Sequence, residues 1–291
     1  MPLRLLAVHA HPDDESSKGS ATYAHYRKQG AEVLVVSATG GEQGSILNEH
    51  LEARAHAVRD MAGLRVLEMA RAQAIMGVDH AWLGYSDSGL PEEGESVAVN
   101  SFSTIPLEIS AEPLVRIIRR FKPHVLVTYD ENGGYPHPDH IRTHEVSVAA
   151  YEAAADPDRY PDAGPAWQIS KLYYDRIMNN TKMHAIYDAI KEETPDSPIL
   201  AQLDEMFERW GDDRPDLSTT HIDVADSFEI RDDALRAHAS QVDPTGFFFR
   251  FPLELQRRVW PTEDFQLIDS KVETHLPETD LFAGVVSEEG E

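Results

Sequence analysis

The chain predicts an α/β fold: a doubly wound, mostly parallel sheet of Rossmann-like type, with a C-terminal α+β subdomain. Three observations predict it. Strand-length apolar runs at 3–10, 31–39, 80–85 and 124–129 alternate with longer segments of helical spacing. Most of these runs are nearly continuously apolar rather than alternating, as expected for strands buried on both faces of a parallel sheet. Clusters of His, Asp and Gly follow the ends of the runs, where ligands bind in open parallel sheets.

The run 3–10 is apolar apart from Arg4 and His9, and 16–29 reads as a helix ending at Gly30. Val33, Leu34, Val35 and Val36 form the centre of the second strand, which runs into Gly40-Gly41. Residues 61–76 carry helical spacing in Leu64, Leu67, Met69 and Ile75, with Gly77 placed as a C-cap. After the strand 80–85, the stretch 86–110 is polar and irregular, and a loop of that length is functional or mobile. A helix over 112–121 turns Leu114, Ile117 and Ile118 inward and ends before Pro123, followed by the strand 124–129 and a helix over 141–154.

Past Asp156 the composition changes, with Pro157, Pro161 and Pro165 in a loop-rich crossing. Strands are expected at 171–177 and 219–224, and helices at 182–193, 199–210 and 228–240. This divides the chain into a metal-binding catalytic part, 1–155, and a subdomain, 156–291, covering the pocket, the two forming one integrated unit. The aromatic run Phe247-Phe248-Phe249 reads as subdomain core or as an apolar wall for substrate. The acidic end, 287–291, is expected to fray.

Among 291 residues, 51 acids oppose 26 bases, a formal charge of −25. Such a field repels nucleic-acid backbones and anionic membranes, so neither is expected as a partner. With no cysteine, thiolate metal sites and disulfides are excluded, and any metal must use His, Asp, Glu or Tyr. No signal peptide precedes the first strand and no apolar run reaches the length of a membrane span, so a soluble cytoplasmic protein is expected. Amphipathic helices read the same whether they face a core or a subunit, which leaves oligomeric state open.

Two clusters carry the chemistry. His9-Ala10-His11-Pro12-Asp13-Asp14-Glu15 closes the first strand, and Tyr135-Pro136-His137-Pro138-Asp139-His140 follows the strand 124–129. His11 and Asp14, three apart on a turn, with His140 from the second loop, make three ligands with an open position, the arrangement of a catalytic site. Asp13, beside the ligand, is the better candidate for a general base. Glu15 reads as the orienting partner of a ligand imidazole or as a helix-start carboxylate. His137 is either a fourth ligand or a free group stabilising an oxyanion or protonating a leaving amine. Asp139 lies between the histidines, placed to hold one of their N–H groups.

The paired motifs His11-Pro12-Asp13-Asp14-Glu15 and His137-Pro138-Asp139-His140 resemble the LmbE-like, or PIG-L, zinc deacetylase family, whose members hydrolyse N-acyl groups of amino sugars. Longer stretches, 9–19, 39–42, 87–91 and 128–140, are similar to the family's amidase branch, which acts on conjugates of a thiol-sugar. That similarity continues through Phe228-Glu229-Ile230-Arg231-Asp232, 237–244 and 259–263. The resemblance implies zinc on His11, Asp14 and His140, with ferrous iron as the other cation this donor set takes. It implies Asp13 as base, His137 as the oxyanion and leaving-group histidine, and Tyr135 as a mobile tyrosine touching the tetrahedral intermediate. Arg65, Asp87 and Glu42 would contact the glucosaminyl-inositol part, and Lys18 is where the amidase branch carries lysine. Gln43 departs from the arginine common after Gly-Gly-Glu in the family. The implied reaction cleaves the amide between glucosaminyl-inositol and an S-substituted N-acetylcysteine. The alternative within this chemistry is an amino-sugar deacetylase. From other classes, a two-His-one-carboxylate iron oxygenase fits the ligand types, and a non-catalytic sugar binder fits the metal alone.

Overall fold

The structure is a computed structural model describing residues 2–92, 94–177, 179–210 and 215–286; the acidic end, 287–291, lies outside the described residues. In chain order its elements are β1 (Arg4–His9), α1 (Asp14–Ser17), α2 (Ser20–Lys28), β2 (Glu32–Thr39), α3 (Arg54–Arg59), α4 (Met61–Met76), β3 (Asp79–Tyr85), α5 (Leu107–Phe121), β4 (Val125–Thr128) and α6 (Pro138–Ala155). There follow β5 (Lys171–Asp175), α7 (Asn180–Glu193), α8 (Ile199–Trp210), β6 (Thr220–Asp223), α9 (Phe228–Ala237), α10 (Leu253–Val259) and β7 (Thr262–Ser270). The strands form one seven-stranded sheet in the order β3-β2-β1-β4-β5-β7-β6. From β3 to β5 the pairings are parallel, and β7 runs antiparallel to both β5 and β6. The fold is therefore the mostly parallel, doubly wound sheet that the sequence predicts.

All six residues of β1 are buried. Leu5, Ala7, Val33, Val35, Val125 and Val127 share one core cluster with Ala21 and Tyr23 of α2, Met69 and Ala72 of α4 and Phe228 of α9. Leu6, Val8, Leu34, Val36 and Leu126 face the other way, onto Leu114 and Ile118 of α5 and Val146 and Ala150 of α6. Strand periodicity of two thus assigns successive residues to opposite helix layers, which is why the runs show no alternation. A smaller core joins Met183, Ile186 and Ile190 of α7 to Leu203 of α8 and Leu255 of α10, with Phe247 packed against it. Phe247 is edge-on to Phe251, and the Arg236 guanidinium lies over Phe249. Of the two readings of the aromatic run, Phe247 makes the contacts of a core, while Phe248 is exposed.

Several elements differ from expectation. The helix predicted over 16–29 is two helices, broken at Gly19, which has a φ of 132°. On α4, Leu67 and Ile75 are exposed, while Arg65 and Glu68 are buried beside Leu64, Met69, Ala72 and Met76. Helix α5 begins at Leu107, inside the stretch expected to be irregular, and runs through Pro113. Proline offers no N–H to the Ile109 carbonyl, and the Tyr85 hydroxyl donates to that oxygen instead, at 3.2 Å. Helix α6 starts at Pro138, proline being favoured in a first turn, so His140 is helical rather than in the preceding loop. The helix predicted over 228–240 stops at Ala237. Sequence reading missed α3, α10 and β7; β7 is masked by its acids, since Glu263 and Asp264 are buried within it. Among the described residues no helix is long and apolar enough to cross a membrane.

Candidate metal centre

The chain winds from β1 to β2 to β3, then returns to place β4 on the other side of β1. The carboxyl ends of β1 and β4 therefore flank the topological switch point, where loops diverge and leave a crevice. His11 to Asp14 leave β1 there, and the loop 129–137 leaves β4.

Those two loops bring His11, Asp14 and His140 together, with one potential ligand atom from each lying within 4.8 Å of the others. Asp14 Oδ2 is 3.5 Å from His11 Nδ1 and 3.3 Å from His140 Nε2. Ligand atoms about 2.0–2.2 Å from a four-coordinate cation stand roughly 3.3–3.6 Å apart, so this spacing fits a metal. His140 Nδ1 lies 2.9 Å from the Gly133 carbonyl, to which it donates as N–H, leaving Nε2 as the basic nitrogen. That Nε2 is buried and has no hydrogen-bond partner. His11 Nε2 lies 3.3 Å from Asp139 Oδ2, which orients the imidazole and leaves Nδ1 facing Asp14. Burial opposes a charge on His11, but Asp139, Asp14 and Asp87 outweigh it and raise its proton affinity well above the ordinary. Such a concentration of carboxylates suits a bound cation. A second trio, His11, His137 and Asp139, also meets. Asp139 Oδ2, however, already accepts the Ser88 N–H at 2.8 Å, and His137 Nδ1 accepts the Asp139 N–H at 3.1 Å.

Asp13 lies beside the first trio with its side chain 25% exposed and its backbone at φ 129°, a region that favours glycine. It is held from three directions. Its carbonyl accepts the Ser16 and Ser17 N–H groups, and its own N–H donates to Glu15 Oε2 at 2.9 Å. The buried Arg65 guanidinium meets Asp13 Oδ2 at 2.8 Å, donates to the Gly41 carbonyl at 2.7 Å, and also reaches the Pro12 carbonyl. Burial raises the Asp13 pKa above its usual 3.8, Arg65 pulling against that and Asp14 adding to it. Glu15 touches no ligand imidazole: its partner is His238 Nε2, at 2.7 Å. Burial opposes ionisation of Glu15, yet His238 and the other donors bring it down to about 2.

His137 caps α6 through Nδ1, so its neutral ring carries the proton on Nε2. Burial, aided by His11 and His140, lowers its pKa to about 4 and keeps it neutral near pH 7. Tyr135 is 46% exposed, with its ring 4.5 Å from that of His140 and 6.0 Å from that of His137. Lys18 pairs with Asp14 Oδ1, and its ammonium lies 5.7 Å from the centroid of the Tyr129 ring. Asp87 accepts the Gln43 N–H at 3.0 Å and the Gly89 N–H at 2.8 Å, while Glu42 accepts the Asp87 N–H at 3.0 Å. These bonds knit the loops after β2 and β3 into one rim, on which Gln43 is exposed.

The structure adds residues that sequence reading missed. Arg176 pairs with Asp130, whose Oδ1 accepts the Asn132 and Gly134 N–H groups at 3.0 and 2.9 Å and so shapes the loop that carries Gly133. His238 and Arg176 lie 223 and 46 residues from Glu15 and Asp130, the partners they hold, and a lone His or Arg carries no local spacing signal.

A family model described as PIG-L, GlcNAc-PI de-N-acetylase, matches residues 6–151. The chain is 49% identical over 289 residues to a mycothiol S-conjugate amidase of Streptomyces coelicolor, covering 97% of each chain. It is 38% identical over 294 residues to a 1D-myo-inositol 2-acetamido-2-deoxy-α-D-glucopyranoside deacetylase of Catenulispora acidiphila, covering 97% of this chain and 89% of that one. Among solved structures, an N,N'-diacetylchitobiose deacetylase from Pyrococcus horikoshii aligns with a TM-score of 0.61 at 19% identity, covering 91% of this chain and 83% of that one. That last likeness is one of fold.

Proposed function

Because the chain belongs to the PIG-L family of GlcNAc-PI de-N-acetylases, we propose that it is a metal-dependent amidase acting on mycothiol S-conjugates. The bond cleaved joins glucosaminyl-inositol to the S-substituted N-acetylcysteine, and the products are the free sugar amine and a mercapturic acid. The observation that carries a hydrolytic reading is the His11, Asp14 and His140 trio with its orphaned Nε2, set beside Asp13. The choice of amide rests on the 49% identity to an amidase along the whole chain, against 38% to a sugar deacetylase.

His11, Asp14 and His140 would hold zinc, with ferrous iron the other cation suited to these donors. Bound there, the metal supplies an acidified water and polarises the amide carbonyl. Asp13, ionised and held by Arg65, accepts the proton from the attacking water. The Nε2–H of neutral His137 donates to the oxygen of the former carbonyl as negative charge gathers on it, and the Tyr135 hydroxyl is the second donor. As the C–N bond breaks, the proton on Asp13 passes to the leaving amine, while His137 keeps its own proton. The carboxylate and amine so formed account for the water consumed. Glu42, Asp87 and Lys18 line the sugar side as acceptors and a cation for its hydroxyls. A cytoplasmic setting suits this cysteine-free chain.

The test is hydrolysis by the metal-loaded protein of a mycothiol S-conjugate and of N-acetylglucosaminyl-inositol under identical conditions. Preference for the conjugate, abolished by a chelator, is the expected outcome. Preference for the acetyl sugar would assign the deacetylase reaction instead, and turnover of neither would sink the substrate reading.

A further inference from the structure

Asp13 occupies a backbone conformation that an aspartate does not hold by itself, and what holds its N–H is a carboxylate, Glu15. Glu15 is fully buried, and its other oxygen accepts from Ser16 Oγ at 2.5 Å and meets His238 Nε2 at 2.7 Å. A carboxylate removed from water needs such partners to stay in place. His238 is itself fully buried and follows α9 directly. The residues after it are tied to the loops around the site. Ser240 donates to Glu68 of α4 through both N–H and Oγ, at 2.8 and 2.7 Å, the Ala239 carbonyl accepts from Asn48 at 3.0 Å, and Gln241 donates to the Ser45 carbonyl at 3.1 Å. The backbone that carries His238 is thus anchored independently of the loop that carries Asp13, and the buried ring meets Glu15 through Nε2. We propose that His238 is a positioning residue for Asp13: by pairing with Glu15 it fixes the carboxylate that clamps the Asp13 N–H, and so aims the base at the metal trio. This rests on the reading of Asp13 as the base.

The test compares His238→Leu, His238→Gln, His238→Asn, Asp13→Asn and the double variant Asp13→Asn/His238→Leu, each as the full chain, with metal affinity measured by chelator competition alongside kcat and KM. His238→Leu is expected to lower kcat by about 10–100-fold while KM and metal affinity stay within about twofold. His238→Gln, which keeps a donor near the Nε2 position, is expected to recover kcat to within about threefold, whereas the shorter Asn does not. In the Asp13→Asn background, where the base is already gone, His238→Leu is expected to cost nothing further. Wild-type kcat in His238→Leu overturns the proposal. So does a loss that follows lost metal in proportion, or one that persists at full size without Asp13. If His238→Leu does not fold, the contrast between Gln and Asn decides, and equal kcat in those two overturns the proposal. Undiminished turnover in Asp13→Asn would instead sink the reading of the base itself.

Discussion

At the scale of single residues, the site divides charge between neighbours. Asp14 is pulled well below the ordinary carboxylate range, since His140, Lys18 and His11 outweigh its burial, while Asp13, one residue away, is pushed up by burial. A permanently ionised ligand beside a carboxylate of raised basicity is the pairing that metal-assisted hydrolysis needs. Asp13→Asn is therefore expected to remove nearly all turnover with metal retained, read by turnover and metal content on one sample. With His137 neutral at working pH, its role as a donor needs no protonation step. His137→Ala is expected to cost ~10²–10³ in kcat, again with the metal in place. On the proposed reading of Asp13 as the base, turnover is expected to rise with pH as its carboxyl ionises and to be lost as that carboxyl is protonated, an acid limb that Asp13→Asn should abolish together with the activity. The residue types and their spacing were legible in the two motifs. That Arg65 spends its guanidinium on Asp13 and on the Pro12 and Gly41 carbonyls was not, because its place on a helix says nothing about which loop crosses it.

At the scale of elements, the loop before α6 sets the tautomer of a ligand. Gly133 sits at φ 70°, and a Cβ there would come within 2.5 Å of His140 Cβ. Gly133→Ala is expected to displace the carbonyl that holds His140 Nδ1 and to weaken metal binding by about 10–100-fold, measured by chelator competition. Helix α7 carries the opposite kind of feature. Lys182 is buried, and burial, with Arg231, lowers its pKa from 10.5 to about 8, Glu263 and Asp264 compensating only in part. Since the unfolded chain binds that proton more tightly, the cost is full below about pH 8 and is relieved as pH rises toward 10.5. Lys182→Met is expected to stabilise the protein at neutral pH by about 1–3 kcal/mol and to lose that advantage near pH 10, seen by thermal unfolding. Helix α4 shows why an element's existence is easier to read than its orientation. The apolar spacing placed it, but Arg65 and Glu68 point inward and Leu67 and Ile75 outward, because its inner face partly serves the site rather than the core.

At the scale of the whole molecule, the sheet is one continuous structure from β3 to β6, and β5 and β7 of the later half bring the Arg176 clamp to the loop after β4. Folding therefore assembles the metal ligands, and a cation that binds only the folded state stabilises it by mass action. At about 100 times its dissociation constant a divalent cation is expected to add ~2.7 kcal/mol, so the melting temperature should rise with added zinc and fall with chelator; an unchanged melting temperature would count against the site. By itself the sequence determined the parallel α/β architecture, the placing of both motifs at strand ends, and the residue types proposed as ligands and acid–base groups. Continuous apolar runs, their spacing and short motifs are local patterns, and they persist whatever the rest of the chain does. Tertiary structure alone decided that β7 inserts between β5 and β6, that Arg65 and His238 converge on the Asp13 turn, and that Glu15 pairs with His238 rather than with a ligand. Those contacts join residues far apart in the chain through single side chains. Their energy comes from burial and charge pairing that exist only once the layers have closed.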